Sequence, residues 1–168
     1  MKKNLIKIST VGMSRADWIA YRHSGVGGSE IGTIMGLNPY KASIELYYDK
    51  LKAPKETEAN EAMFMGNILE GVVADLWQYW DGTPSGMIAN HSADKIQRRC
   101  RRVNAYLRDP EFDFIFASLD RLINIDSSKS KAEEEILEVK TIAGFASKQW
   151  ESGIPPSYLT QLQTYLLI

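Results

Sequence analysis

The 168-residue chain is 44% hydrophobic and 10% aromatic, enough for one domain with a real core. Its 20 Lys and Arg against 21 Asp and Glu leave a net charge of −1, so no global field marks a polyanion partner. A single cysteine, Cys100, excludes an internal disulfide and a thiolate zinc site. No apolar run reaches membrane-spanning length, and Leu5-Ile6-Lys7-Ile8 is too short for a signal-peptide core. A reducing, cytoplasmic setting is expected, with no membrane partner.

Ser14-Arg15-Ala16-Asp17 has capping-box spacing, with Asp replacing the usual Glu, and predicts a short helix through Trp18, Tyr21 and Arg22. The glycine-rich turn Ser24 to Glu30 follows. Ser29 is expected to cap a second helix from Glu30 to Met35, closed by Gly36. Asn38-Pro39-Tyr40 reads as a turn, and Ser43 as the cap of a third helix through Leu46 and Tyr47 to about Leu51. Lys52 to Asn60 is polar and reads as a loop. Phe64, Ile68, Leu69, Val72, Val73, Leu76, Trp77 and Trp80 then repeat at helical spacing across Glu61 to Trp80. The Gly and Pro of Asp81 to Gly86 stop that helix.

Strands are expected at Lys95 to Val103, Phe114 to Leu119, Leu122 to Ile125 and Glu135 to Thr141, with a hairpin-like loop at Asp126 to Lys131. Helical patterns return at Ile142 to Trp150 and from Pro156, which suits a first helical turn. Helices, a strand cluster, then helices predict an α/β or α+β fold with a mixed sheet. The apolar run Tyr165-Leu166-Leu167-Ile168 has no cap after it, so residues 1–168 are expected to be a single domain truncated at its C-terminus.

The chemistry concentrates at Glu138-Val139-Lys140. In an extended strand Glu138 and Lys140 share one face while Leu137 and Val139 take the other. With Asp120 on a neighbouring strand, two carboxylates can hold a divalent cation and the lysine can position a water beside it. That set suits phosphodiester hydrolysis; the plainer alternative is a polar outer strand face. Glu70 sits one turn after Gly66 on the long helix, either solvated or turned toward a site that the glycine lets approach. Arg22 with the Gly27-Gly28-Ser29 turn could hold a phosphate, or could be only a helix–helix link. Gln161, between Tyr158 and Tyr165 at helical spacing, could reach a site or line a polar face. Arg98-Arg99-Cys100-Arg101-Arg102 is a basic patch or a solvated edge. His23 and His91 are isolated and suggest no metal role.

Arg22-x-x-x-Val26-Gly27-Gly28-Ser29-Glu30-Ile31, Gly36-x-Asn38-Pro39-Tyr40, Gly66-x-x-Leu69-Glu70, Ser118-x-Asp120-Arg121, Glu138-Val139-Lys140-Thr141 and Tyr158-x-x-Gln161-x-Gln163-x-Tyr165 occur in that order. The ordered set resembles the YqaJ-type viral recombinase nucleases, relatives of phage lambda exonuclease in the PD-(D/E)XK superfamily. It covers roughly Trp18 to Tyr165.

The resemblance implies a restriction-endonuclease-like core, a mixed β-sheet flanked by helices. It implies Mg²⁺, with Mn²⁺ able to substitute, held by Asp120, Glu138 and Glu70, the last a helix-borne acid near the metal. Lys140 would serve the attacking water, and Gln161 would stand beside the site. Arg22 and Ser29 match the pair that holds a terminal 5′ phosphate. The implied protein is a phage or prophage DNA exonuclease of recombination, acting 5′ to 3′ on duplex ends. A single-strand annealing protein and a homo-oligomer are implied partners. An endonuclease of the same fold and a non-catalytic DNA-end-binding module are the alternatives. Leu119 stands where relatives carry an acidic doublet before Asp120.

Overall fold

Residues 4–54, 60–83, 85, 96, 98–124 and 135–168 are described by a computed structural model of the chain. They belong to two units. The first takes Met1–Glu58, Asn104–Ser118 and Gly144–Ile168; the second takes Ala59–Val103 and Leu119–Ala143. Helices and β-sheets, one of them mixed, make an α+β fold, as expected. The expected loop at Asp126 to Lys131 and His91 lie outside the described residues.

In the first unit, β1 (Ile6–Ser9), β4 (Ala105–Arg108), β5 (Ile115–Ala117) and β2 (Val26–Gly27) form one sheet in that spatial order. β4 is antiparallel to both β1 and β5, whereas β2 runs parallel to β5. Tyr106 and Phe116 are fully buried, and their rings meet edge-on at 5.2 Å. Tyr21 of helix α1 (Arg15–His23) stacks on Tyr106 at 4.6 Å and anchors the helix to the sheet. Ser14 is the expected cap: its Oγ accepts the Asp17 N–H at 3.1 Å and donates to the Asp17 carboxylate at 2.7 Å.

The next two helices start before their expected serines. α2 (Gly28–Ile34) is capped at Gly27, whose N–H donates to the Glu30 carboxylate at 2.9 Å. α3 (Ser43–Leu51) is capped at Ala42, whose N–H donates to Glu45 at 2.7 Å. In both, a carboxylate three residues along satisfies an amide that the helix leaves open, so no hydroxyl is needed at the cap. Ser29 therefore lies exposed in the first turn of α2. Gly36, at φ +70°, closes the helix as expected, in a conformation that favours glycine.

α5 (Pro156–Leu167) opens with Pro156 in its first turn, as expected, and packs on α2 through the glycines of that helix. A Cβ on Gly32 would lie 2.9 Å from Ser157 Cα and 3.1 Å from its carbonyl oxygen. Gly32→Ala would gain about 1 kcal/mol of helix propensity. Forcing two backbones apart costs about 1–3 kcal/mol, so the variant should melt at lower temperature. An unchanged or raised midpoint in a thermal melt would show that the helices can separate freely. The helical pattern expected at Ile142 to Trp150 is met by a 3₁₀ helix over Gly144–Trp150 rather than an α-helix.

In the second unit, β3 (Arg99–Arg102), β6 (Arg121–Asn124) and β7 (Glu135–Leu137) form an antiparallel sheet. Helix α4 (Glu61–Trp77) is capped by Asn60, which accepts the Met63 N–H at 2.9 Å. Its large apolar residues do not form the buried face that their period suggests. Phe64, Ile68 and Val72 are exposed, and Ala74 is its fully buried residue. Small residues meet the neighbours instead: a Cβ on Gly66 would stand 3.3 Å from Thr141 Oγ1, so the glycine does admit a close approach. Cys100 of β3 donates its amide to Gln78 at 3.2 Å and its thiol to the Ala74 carbonyl at 3.6 Å. No helix among the described residues is long and apolar enough to cross a membrane.

Candidate active site

β7 ends at Leu137, so Glu138-Val139-Lys140 lies just past the strand rather than inside it, as the expected strand over Glu135 to Thr141 had implied. The reason is Asp120. Its Oδ2 accepts the Val139 N–H at 2.9 Å, so a side-chain carboxylate takes the place of a backbone carbonyl. The residue between Glu138 and Lys140 is thereby tied to the start of β6. Lys140 Nζ donates to Glu138 Oε1 at 2.7 Å, as two side chains on one face can. The Glu138 side chain is 7% exposed and that of Lys140 28%.

Glu70 reaches the same region from α4. Its Oε1 accepts from Arg121 Nη1 at 2.7 Å, and that nitrogen also donates to the Asp120 carbonyl at 2.7 Å. Arg121 is buried, while the Glu70 side chain is 22% exposed. Arg102 stands 3.9 Å from the same Glu70 oxygen and lies mostly in solvent. Across the sheet, Arg102 pairs with Arg121 and Arg121 with Leu137, so one register row delivers two arginines and the residue before Glu138.

Burial holds the Asp120 carboxyl above the usual carboxylate range, and the Glu70 charge pushes it the same way. The Val139 N–H bond and the charges of Lys140 and Arg121 oppose that rise without cancelling it. A partly buried acid beside another acid is a place where a cation is electrostatically welcome. Among the described residues, however, no three Asp, Glu, His or Cys side chains converge into a metal-holding group. Glu70 faces Arg121 and Glu138 faces Lys140. The acids whose chemistry would suit a hard cation are Asp120 and Glu138, linked through the Asp120–Val139 hydrogen bond. Two carboxylates completed by waters and phosphate oxygens are a common magnesium arrangement.

Arg22, Ser29 and Gln161 belong to the first unit. Arg22 lies over the Trp18 ring, 4.9 Å from its centroid. Burial pushes the Tyr106 phenol up, opposed by the neighbouring Arg22 guanidinium. The turn before α2 is braced by Lys50, which sequence reading missed. Its Nζ donates to the carbonyls of Arg22 and Gly25 at 2.9 and 2.8 Å and pairs with Glu30 at 2.9 Å. Gln161 is buried and donates to the Tyr165 hydroxyl at 2.8 Å. His23 has a structural role, its Nε2 meeting the Asp49 carbonyl at 2.9 Å.

Cys100 leans toward α4, so strand alternation puts Arg99 and Arg101 on the opposite face of β3, both exposed. β3 borders the three-stranded sheet, where charged side chains also discourage pairing with a foreign strand. Arg98 stacks on Trp77 at 5.1 Å.

In the second unit of this α+β chain, one hydrogen bond ties Asp120 to the Glu138–Lys140 segment and a buried arginine ties Glu70 to the Asp120 carbonyl. The chain belongs to the family of YqaJ-like viral recombinase domains, whose model matches residues 17–168. It is 36% identical over 156 residues to "Uncharacterized protein YqaJ" of Bacillus subtilis (strain 168), covering 92% of this chain and 42% of that protein. It is also 36% identical over 165 residues to "Protein D345L" of African swine fever virus (strain Badajoz 1971 Vero-adapted), covering 90% of this chain and 44% of that protein. The chain thus spans less than half the length of these curated relatives.

Proposed function

We propose that this chain carries the nuclease core of a magnesium-dependent DNA exonuclease of phage-type recombination, with the PD-(D/E)XK fold. It hydrolyses phosphodiester bonds from duplex ends, 5′ to 3′, in the cytoplasm of a bacterial host. The observation that carries the reading is the Asp120–Val139 hydrogen bond, which ties one candidate ligand to the chain between Glu138 and Lys140. Membership of a viral recombinase family supports DNA as the substrate. A single-strand annealing protein and further copies of the chain are its expected partners.

Asp120 and Glu138 would hold the metal ion, which supplies charge to polarise the phosphate and acidify a bound water. Lys140, hydrogen-bonded to Glu138, holds the attacking water and sets a fixed positive charge beside the phosphate oxygens. Glu70 takes part through Arg121. Arg22 would grip phosphate oxygens at a 5′ end with its planar fork, and Ser29 would add a hydroxyl donor. Gln161 would help to orient the substrate. Attack of water on phosphorus with loss of the 3′ oxygen leaves a new 5′ phosphate for the next cycle.

The test is digestion of linear against covalently closed duplex DNA with Mg²⁺. Loss of linear DNA alone is expected; loss of both forms would replace exonuclease by endonuclease. One observation favours that second reading. The Gly27 N–H, which a terminal phosphate could use, already donates to Glu30. End chemistry separates the two. A 5′-phosphorylated end should be digested several-fold faster than a 5′-hydroxyl end, and Arg22→Ala should erase the difference. Equal rates on both ends by the unmodified protein would deny Arg22 and Ser29 a part in end binding.

A further inference from the structure

We propose that Arg121 is a positioning residue that withholds Glu70 from the metal ion, reserving the ion for Asp120 and Glu138. The inference rests on the metal-dependent reading above and assigns Glu70 a different part from the ligand role that its motif implies. Three observations carry it. First, one Arg121 nitrogen serves both Glu70 Oε1 and the Asp120 carbonyl at 2.7 Å, so it fixes the acid relative to the backbone of a candidate ligand. Second, the Arg121 side chain is only 9% exposed, more deeply buried than the Glu70 that it holds. Desolvating a guanidinium is costly, and apolar residues of similar volume often serve packing as well as a buried pair does. Third, Arg102 lies 3.9 Å from the same oxygen, so a second cation adds its charge to the hold.

The consequence is a site of moderate grip. With Glu70 neutralised, an entering ion meets two carboxylates and keeps several waters, which suits magnesium and leaves positions for phosphate oxygens. Freeing Glu70 would add a third carboxylate and remove a nearby positive charge. Both changes strengthen cation binding.

The experiment is calorimetric titration of Mn²⁺ into the DNA-free protein, with folding checked by circular dichroism. Arg121→Met should bind Mn²⁺ about tenfold or more tightly than wild type, because a released carboxylate and a lost positive charge act together. The charge-balanced double variant Arg121→Met/Glu70→Gln removes both members of the pair. It should return to within a few-fold of the wild-type affinity. A tenfold loss in the double variant would show that Glu70 is itself a ligand and would overturn the proposal. So would unchanged or weaker binding by folded Arg121→Met. If the single variant does not fold, the double variant decides, since neither partner of the pair is then left as an uncompensated charge. Asp120→Asn separates the proposal from the reading beneath it. If that variant loses Mn²⁺ binding while the double variant also binds tenfold worse, only the role of Arg121 falls. If it binds Mn²⁺ like wild type, the metal centre is elsewhere and both fall.

Discussion

Asp120→Asn should abolish DNA hydrolysis and leave the metal-free protein at least as heat-stable as wild type. The amide keeps an oxygen to accept the Val139 N–H, so the link to the Glu138–Lys140 segment survives. What it loses is the negative charge that would hold a cation. One preorganised donor to a developing oxyanion is worth about 10²–10³ in rate, and removing the hold on a metal ion should cost on the order of 10³ or more. The stability arm follows from the raised Asp120 pKa, caused first by burial and then opposed by the Val139 N–H. A carboxyl whose folded pKa lies above its unfolded value destabilises the fold once ionised. That penalty sets in as pH rises from the ordinary Asp range through the raised value and is complete above it. A neutral amide does not carry it. Plasmid digestion and a thermal melt in EDTA check the two arms. Retained cleavage, or a clear drop in melting temperature, would make Asp120 a structural residue.

Lys140→Met should lower turnover by about 10²–10⁴, the range for a group that handles the attacking proton or water. Metal binding should persist or tighten, since a positive charge leaves the side of Glu138. Single-turnover digestion at saturating Mg²⁺, paired with Mn²⁺ titration, separates these effects. A rate within a few-fold of wild type would reduce Lys140 to a surface partner of Glu138. Parallel loss of metal binding would instead mean that the lysine shapes the carboxylate cluster.

Much of the architecture could be read before any coordinates, and the misses have local causes. Ser14, Asn60, Gly36 and Pro156 mark helix ends through their own short-range hydrogen bonds or backbone preferences, so their signals are self-contained. Ser29 and Ser43 mislead because Glu30 and Glu45 reach back and cap from inside their helices. β1, β2 and β4 leave no usable period in two to four residues. Their stability comes from partners such as Ile6 with Arg108, far apart in the chain. The apolar run on α4 predicts a helix correctly but not which side is buried, because glycine and alanine make the close contacts.

The site divides the same way. Asp120, Glu138 and Lys140 are legible because their chemistry sits in short motifs, and the hydrogen bonds at Val139 and Glu138 bring them together. Arg121 stands inside one of those motifs yet carries no readable role there. Its partner, Glu70, is 51 residues earlier. Lys50 is hidden for the same reason, bridging carbonyls 25 and 28 positions away.

Cys100, the one cysteine of the chain, has its thiol held near the Ala74 carbonyl and its pKa pushed up by burial. A thiol in that state is a slow nucleophile at neutral pH. A fluorophore or spin label could therefore be installed at an exposed position such as Ser43 through a newly introduced cysteine, with the native sulfur left in place. Motion of the first unit could then be followed spectroscopically while the carboxylates of the second stay untouched.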